Sequence, residues 1–346
     1  MHMAKVDIRK LNDSELADFL IKNNEKEFRI RQIGEWLWKK SVTDFDVMSN
    51  LSIKLRELLN KSFSINNVVI DHTQVSADGT IKSAFRLYDD HFVEGVLIPS
   101  GNRLTACISS QVGCSLSCKF CATGYLERKR NLDAAEIYDQ VVLINKQAQI
   151  NFGKSLTNIV YMGMGEPLLN YSNVMKSIYI ITSEEGLNMS SGRITLSTAG
   201  IAKMIVKLGE DKAKFNLALS LHAADDEKRN IIMPINETNS LPVLRDALQF
   251  YYKSTKKPVT FEYILLNKFN DSIEDAKKLV RFTRHFPSKV NIIEYNTISE
   301  AAFTKTNSLT ADIFRDFLNK NGVNARIRRS RGKDIDAACG QLANKI

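Results

Sequence analysis

Three cysteines between positions 114 and 121 carry the strongest chemical signal in this chain. Cys114, Cys118 and Cys121 are spaced C-x3-C-x2-C, with Phe120 directly before the last thiol. Free cysteine is scarce and is usually scattered singly through cores, so a cluster this tight calls for a function. The spacing fits poorly with a zinc knuckle, which offers two cysteine pairs or a cysteine pair and a histidine pair. Three soft thiolates in one loop suit an iron–sulfur cube in which one iron keeps an open position. Chemistry would happen at that position.

The elements that must hold this loop are legible as a change of pattern near residue 104. Strands are expected at 104–109, 158–162, 193–197, 215–221, 259–265 and 289–295, and a last one at 323–328. Helical patterns are expected at 132–149, 170–186, 200–208, 241–253, 272–286 and 310–320. Six βα units argue for a parallel α/β sheet covered by helices, and six are too few to close an eight-stranded barrel. An open, partial barrel is predicted. Ligands in such sheets sit at the C-terminal ends of the strands, where the cysteine loop also falls. Gly165 and Glu166 end the second strand, Ser197 the third, Ser220, Leu221 and His222 the fourth, and Asn296 the sixth. One polar residue at a strand end usually caps the next helix; four such rims beside a thiolate cluster are harder to dismiss.

Upstream, residues 1–63 read as three short amphipathic helices with a capping box at Asn12–Glu15. Residues 64–99 read as a β-meander linker with an Asp78-Gly79 turn, and 100–346 form the core with a polar tail. The chain has 346 residues, 44% of them hydrophobic, and a formal net charge of +9. That charge favours a polyanionic partner. No apolar run is long enough to span a membrane, and no secretory signal is present. Five cysteines in this length argue for a reducing compartment, hence a cytoplasmic protein. Basic residues cluster at Arg128, Lys129 and Arg130, and again at Arg326, Arg328, Arg329 and Arg331.

Taken together, CISSQVGCSLSCKFCATG, GMGEPLLN, ITLSTAG, LSLHA, MPIN and DIDAACGQL resemble the bacterial 23S rRNA adenine-C2 methyltransferases, the RlmN family of the radical S-adenosylmethionine (SAM) superfamily. The order of motifs matches from about residue 90 to 342. The resemblance implies a partial (β/α)6 radical SAM barrel with a small N-terminal helical, RNA-binding domain. Cys114, Cys118 and Cys121 would hold a [4Fe-4S] cluster. Gly165, Glu166, Ser197, Ser220, Leu221, His222 and Asn296 would bind SAM, although Thr297 stands where relatives often have proline.

The implied route uses two SAM molecules per turnover. The first methylates Cys339. The second yields a 5′-deoxyadenosyl radical that abstracts hydrogen from the methyl-cysteine, whose carbon then adds to adenine C2. Cys107 resolves the adduct and ends as a transient disulfide with Cys339. Glu94 matches an acidic residue given a proton-accepting role. The implied substrates are adenosine 2503 of 23S rRNA and adenosine 37 of tRNAs, with an electron donor such as flavodoxin or ferredoxin, and the chain is expected to act as a monomer. Two alternatives stay open at this point: the sister Cfr-type methylation of adenine C8, and a zinc-dependent RNA-binding module using the same cysteines with His222 or another ligand.

Overall fold

The helical pattern of the first 63 residues folds as its apolar spacing dictates. In the computed structural model, which describes residues 5–344, β1 (Val6–Asp7) precedes α1 (Asp13–Lys22), α2 (Arg29–Gly34) and α3 (Ile53–Ser62), and β2 (Phe63–Ser64) pairs in parallel with β1. Asn12 and Glu15 form the predicted capping box. Leu16, Leu20, Ile33, Leu37, Leu55 and Leu59 make a separate small core. The expected second helix ends in a π turn over Glu35–Lys39. Arg9 fixes this unit to the rest of the chain, with Nη1 on Asp139 (2.8 Å) and Nη2 on Asp7 (3.1 Å).

One ten-stranded sheet follows. β3 (Val69–Val75), β4 (Ile81–Arg86), β5 (Phe92–Ser100) and β6 (Arg103–Ile108) are antiparallel neighbours. β7 (Gln111–Val112) and β8 (Arg130–Asn131) pair with each other and pinch the base of the cysteine loop. Then α4 (Ala134–Phe152), β9 (Asn158–Tyr161), α5 (Tyr171–Thr182), β10 (Ile194–Thr198), α6 (Ala202–Glu210), β11 (Asn216–Ser220), α7 (Asp226–Ile232), α8 (Leu241–Thr255), β12 (Val259–Leu265), α9 (Ile273–Thr283), β13 (Ser288–Glu294), α10 (Ser308–Lys320) and β14 (Asn324–Arg328) complete the barrel. The strand order is β14-β13-β12-β11-β10-β9-β6-β5-β4-β3, with parallel pairing from β6 to β14. β14 and β3 are edges, so the barrel is open as predicted.

Two features depart from the sequence-based expectation. The meander is no linker: β5 and β6 form a hairpin through Gly101, so the first three antiparallel strands continue the barrel sheet in register. Helix α7 was not expected, because a seven-residue charged segment carries too little periodicity to detect.

Side-chain alternation decides what faces the lumen. On β12, Val259, Phe261, Tyr263 and Leu265 pack in the main core, which turns Glu262 and Ile264 to the opposite face. On β14, Ala325 and Ile327 pack outward, which turns Arg326 and Arg328 inward.

Beyond β14 the tail crosses the open edge. Asp334 accepts from Ser76 Oγ (2.5 Å) and Ala77 N (3.1 Å), and Gly332 N donates to Asp78 (3.1 Å). Gly332 has φ +63°, and a Cβ there would meet Ala337 and Thr80.

Candidate active site

Cys114, Cys118 and Cys121 line one cleft of about 950 Å³ at the C-terminal end of the barrel. Gly165, Glu166, Ser197, Ser220, His222, Glu262, Arg328 and Cys339 line it as well. Burial pushes the Cys114 thiol up to about 11 and raises those of Cys118 and Cys121 too. For Cys118, the neighbouring Cys121 and Cys114 add to the effect of burial. Three soft thiols that oppose one another's ionisation need a cation to become thiolates, and a cluster of irons fits that demand. The zinc alternative would draw on His222 or another residue as its further ligand. His222 is committed elsewhere, since its Nδ1 accepts from Ile264 N–H at 3.1 Å. Burial, with Arg229 adding, brings its pKa down to about 3 and keeps the ring neutral.

Glu166 is held from both sides. Its Oε1 accepts from Leu168 N (3.0 Å) and its Oε2 from Ala199 N (2.7 Å), while its own N–H donates to Gln111 (2.8 Å). Each oxygen retains a lone pair for an ammonium group. Burial raises its pKa. Gly165 has φ +93°, and a Cβ there would meet Gln111 at 2.5 Å, so glycine is required where the backbone brings Glu166 to the cleft. Ser197 and Ser220 place their hydroxyls 3.4 Å apart on adjacent strands. His222, which lines the cleft, has φ +57°, a left-handed conformation uncommon for a non-glycine residue.

Some expected SAM contacts are placed differently. Leu221 is fully buried in the main core and offers only backbone, and its carbonyl accepts from Arg229 Nε (3.1 Å). Asn296 lies outside the cleft lining and donates to the Cys339 carbonyl (3.3 Å).

The two cysteines outside the loop meet in an adjoining cavity. Cys107 on β6 and Cys339 on the tail line it together with Met162, Thr123 and Arg328. All five cysteines are free thiols. Burial, with Cys339 adding, pushes the Cys107 thiol up to about 12. The tail is moored along the residues that follow Cys339. Ala122 N donates to Gly340 O (2.7 Å), Thr123 Oγ1 to Leu342 O (2.6 Å), and Glu94 Oε2 accepts from Ala343 N (2.8 Å) and Asn344 N (3.1 Å). Glu94 is therefore a buried mooring point, outside the cleft and 3.5 Å from Lys82.

The basic residues divide. Arg128 and Lys129 are exposed, as are Arg326, Arg329 and Arg331. Two others are unavailable to an outer phosphate. Arg130 is locked on Asp89 (2.6 Å) and Glu136 (2.7 Å). Arg328 points into the barrel, because β14 alternates and its outward face is taken by Ala325 and Ile327. Glu294 draws in Arg329 (3.2 Å), Lys305 (3.1 Å) and Lys333 (2.9 Å).

Sequence reasoning missed Arg229, Glu262 and the inward turn of Arg328. Arg229 is wholly buried and donates to Leu221 O, Ala199 O (2.6 Å) and Asn236 Oδ1 (2.6 Å), stapling two strand-end loops to α7. The alternation of β12 and β14 would have revealed the other two.

An open six-unit barrel with three cysteines after its first parallel strand defines the radical SAM class, and residues 108–281 match the family model described as the radical SAM superfamily. Residues 6–65 match the ribosomal RNA large subunit methyltransferase N-terminal domain. A probable dual-specificity RNA methyltransferase RlmN from Cytophaga hutchinsonii is 61% identical, covering 98% of this chain and 93% of that protein. The dual-specificity RNA methyltransferase RlmN from Geotalea uraniireducens is 41% identical over 99% of this chain and 98% of its own length. The crystal structure of a radical SAM methyltransferase from Sphaerobacter thermophilus is 38% identical, with a TM-score of 0.91 over 97% of this chain and 99% of that one. This chain belongs to the RlmN family of dual-specificity RNA methyltransferases.

Proposed function

We propose that this chain methylates C2 of an adenine in 23S rRNA, and in tRNA, through a methyl group carried on Cys339. The observation that carries the reading is the meeting of three cysteines on one cleft with Cys339 at its wall and Cys107 in the adjoining cavity. Cys114, Cys118 and Cys121 would hold the [4Fe-4S] cluster, which when bound supplies the electron that opens SAM to a radical. Glu166 would accept from the SAM amino group, and Ser197, Ser220 and His222 would order the rest of the molecule, while Asn296 holds the Cys339 backbone. Cys339 sulfur takes the methyl group from a first SAM as a nucleophile. Cys107, one cavity away, reacts with Cys339 to free the product, and the pair is reset by thiol exchange.

The exposed Arg128, Lys129, Arg329 and Arg331 would contact phosphates and set the RNA's position. The target base must be unstacked to reach so recessed a sulfur. An electron-transfer protein such as flavodoxin or ferredoxin would provide the electron, and one chain contains the whole site.

Anaerobic incubation with SAM, reductant and unmodified rRNA, followed by nucleoside analysis, tests this. 2-Methyladenosine is the expected product. 8-Methyladenosine would move the chain to the Cfr-type reaction, and unmodified RNA from protein with a full cluster would refute both.

A further inference from the structure

Two lumen side chains between the cleft and the Cys107–Cys339 cavity have hydrogen-bonding capacity that the protein does not use. Glu262 is 4% exposed and lines the cleft. Its Oε1 accepts from Asn291 Nδ2 at 2.8 Å, while its Oε2 has no partner. A buried acceptor left unpaired is costly, which is why such atoms in native proteins call for a ligand or water. Arg328 lines both cavities. Among the described residues its one hydrogen-bond contact is Nη1 to Met162 Sδ at 4.0 Å, and it forms no ion pair within 4.0 Å. A guanidinium carries five donors, so nearly all of Arg328's are free. Glu262 and Arg328 sense each other's charge without touching, since no pair within 4.0 Å forms. The floor of the site thus offers a free acceptor and free donors beside the sulfur that would carry the methyl group.

We propose that Arg328 and Glu262 read the Watson–Crick edge of the target adenine, Arg328 donating to N1 and Glu262 Oε2 accepting from the N6 amino group. The proposal rests on the adenine-C2 reading above and deepens it. N1 is bonded directly to C2, so a donor fixed on N1 beside Cys339 turns C2 toward the methyl-bearing sulfur. A donor on N1 also draws electron density from the C2–N1 bond, which favours addition of a carbon radical at C2. Guanine presents the opposite pattern on this edge, an N1–H donor and an O6 acceptor, so it would set donor against donor and acceptor against acceptor. Sites built from buried polar groups reject a mismatched partner strongly, because their own groups are then left unpaired. SAM also carries an adenine, and the test separates the two sources.

RNA hairpins carrying adenosine, purine riboside (no N6 amino group) or 1-deazaadenosine (no N1) at the target position are compared on wild-type protein, Glu262→Gln and Arg328→Met. Each protein is checked for iron and sulfide content and by circular dichroism. Binding is read by fluorescence anisotropy and methylation by kcat/KM. Glu262→Gln is expected to weaken adenosine RNA tenfold or more while leaving purine RNA as in wild type. Arg328→Met is expected to do the same for adenosine against 1-deazaadenosine RNA. SAM affinity and the amount of methyl-Cys339 found by intact-protein mass should not change. Equal losses on adenosine and analogue RNAs would overturn the proposal. Weakened SAM binding with unaltered RNA discrimination would also overturn it, assigning the pair to the adenine of SAM. Failure of wild-type protein to methylate any RNA would instead count against the adenine-C2 reading, and the anisotropy arm would still report on the pair.

Discussion

Arg229 and Arg328 bring the same cationic group into one barrel and use it in opposite ways. Arg229 is wholly buried, with its guanidinium bonded to the carbonyls of Ala199 and Leu221 and to Asn236. Asn236 passes the charge on to Asp226, whose Oδ1 accepts from its Nδ2 at 2.8 Å. Burial brings the pKa of Arg229 down to about 10, and among the described residues no carboxylate pairs with it. Arg328 sits between two cavities with almost no protein acceptor, and its pKa is raised, chiefly by Cys339 and against burial. A guanidinium whose donors are all occupied holds loops in place. One whose donors are free is available to a ligand, and location alone does not tell the two apart.

Substitution should separate them most sharply in stability. Arg229→Met leaves several buried carbonyls without donors and is expected to cost about 3–5 kcal/mol by thermal or urea unfolding. Arg328→Met should stay within about 1 kcal/mol of wild type, since it breaks no strong protein contact. Similar losses for both would erase the distinction. Glu94→Gln comes next: it leaves the buried Lys82 cation without its partner and weakens the mooring of Ala343 and Asn344, for about 3 kcal/mol. Limited proteolysis should then cut faster within residues 329–344; an unchanged cleavage rate would mean that Glu94 does not hold the tail.

Asn236→Ala sharpens the Arg229 side. It removes one acceptor from the guanidinium and one donor from Asp226, for about 1–3 kcal/mol by the same unfolding assay. A loss equal to that of Arg229→Met would show that the staple acts as one unit. The smallest effect concerns acid. Burial opposes the ionisation of Glu294, yet Lys333 and Lys305 bring its pKa from 4.5 down to about 2. The folded-state value lies below the unfolded one, so this contribution is complete above pH 4.5 and is lost as pH falls toward 2. About 1 kcal/mol should disappear between pH 4.5 and 3.5 in urea titrations, and Glu294→Gln should flatten that part of the curve.

Much of this arrangement is readable from residue order. The cysteine spacing, the strand–helix alternation and the polar strand ends place the cleft before any coordinates are seen. β12 and α8 begin where predicted, at Val259 and Leu241. Arg328 shows why the rest was harder. A basic run reads as a surface when charge alone is counted, whereas the strand beneath it forces alternate residues inward. Period-two reading of Asn324–Arg328 would have caught this, given that Ala325 and Ile327 must face the helices. Arg130 failed for another reason: Asp89 lies forty-one positions away, and no local pattern announces that pairing. Glu94 likewise acts on residues 249 and 250 positions downstream.

The β5–β6 hairpin has a mechanical consequence. Cys107 on β6 is paired with Val96 on β5, and Glu94, two residues along the same strand, grips the backbone just past Cys339. One hairpin thus works as a ruler with the Cys107 sulfur fixed at one mark and the tether of the Cys339 segment at the next. The reach between the two thiols is gauged by strand register, not by the barrel at large. A one-residue slip of β6 against β5 would rotate Cys107 out of the lumen and leave the Cys339 tether where it is, separating the pair while the cluster loop, Glu166 and the barrel rim stayed in place.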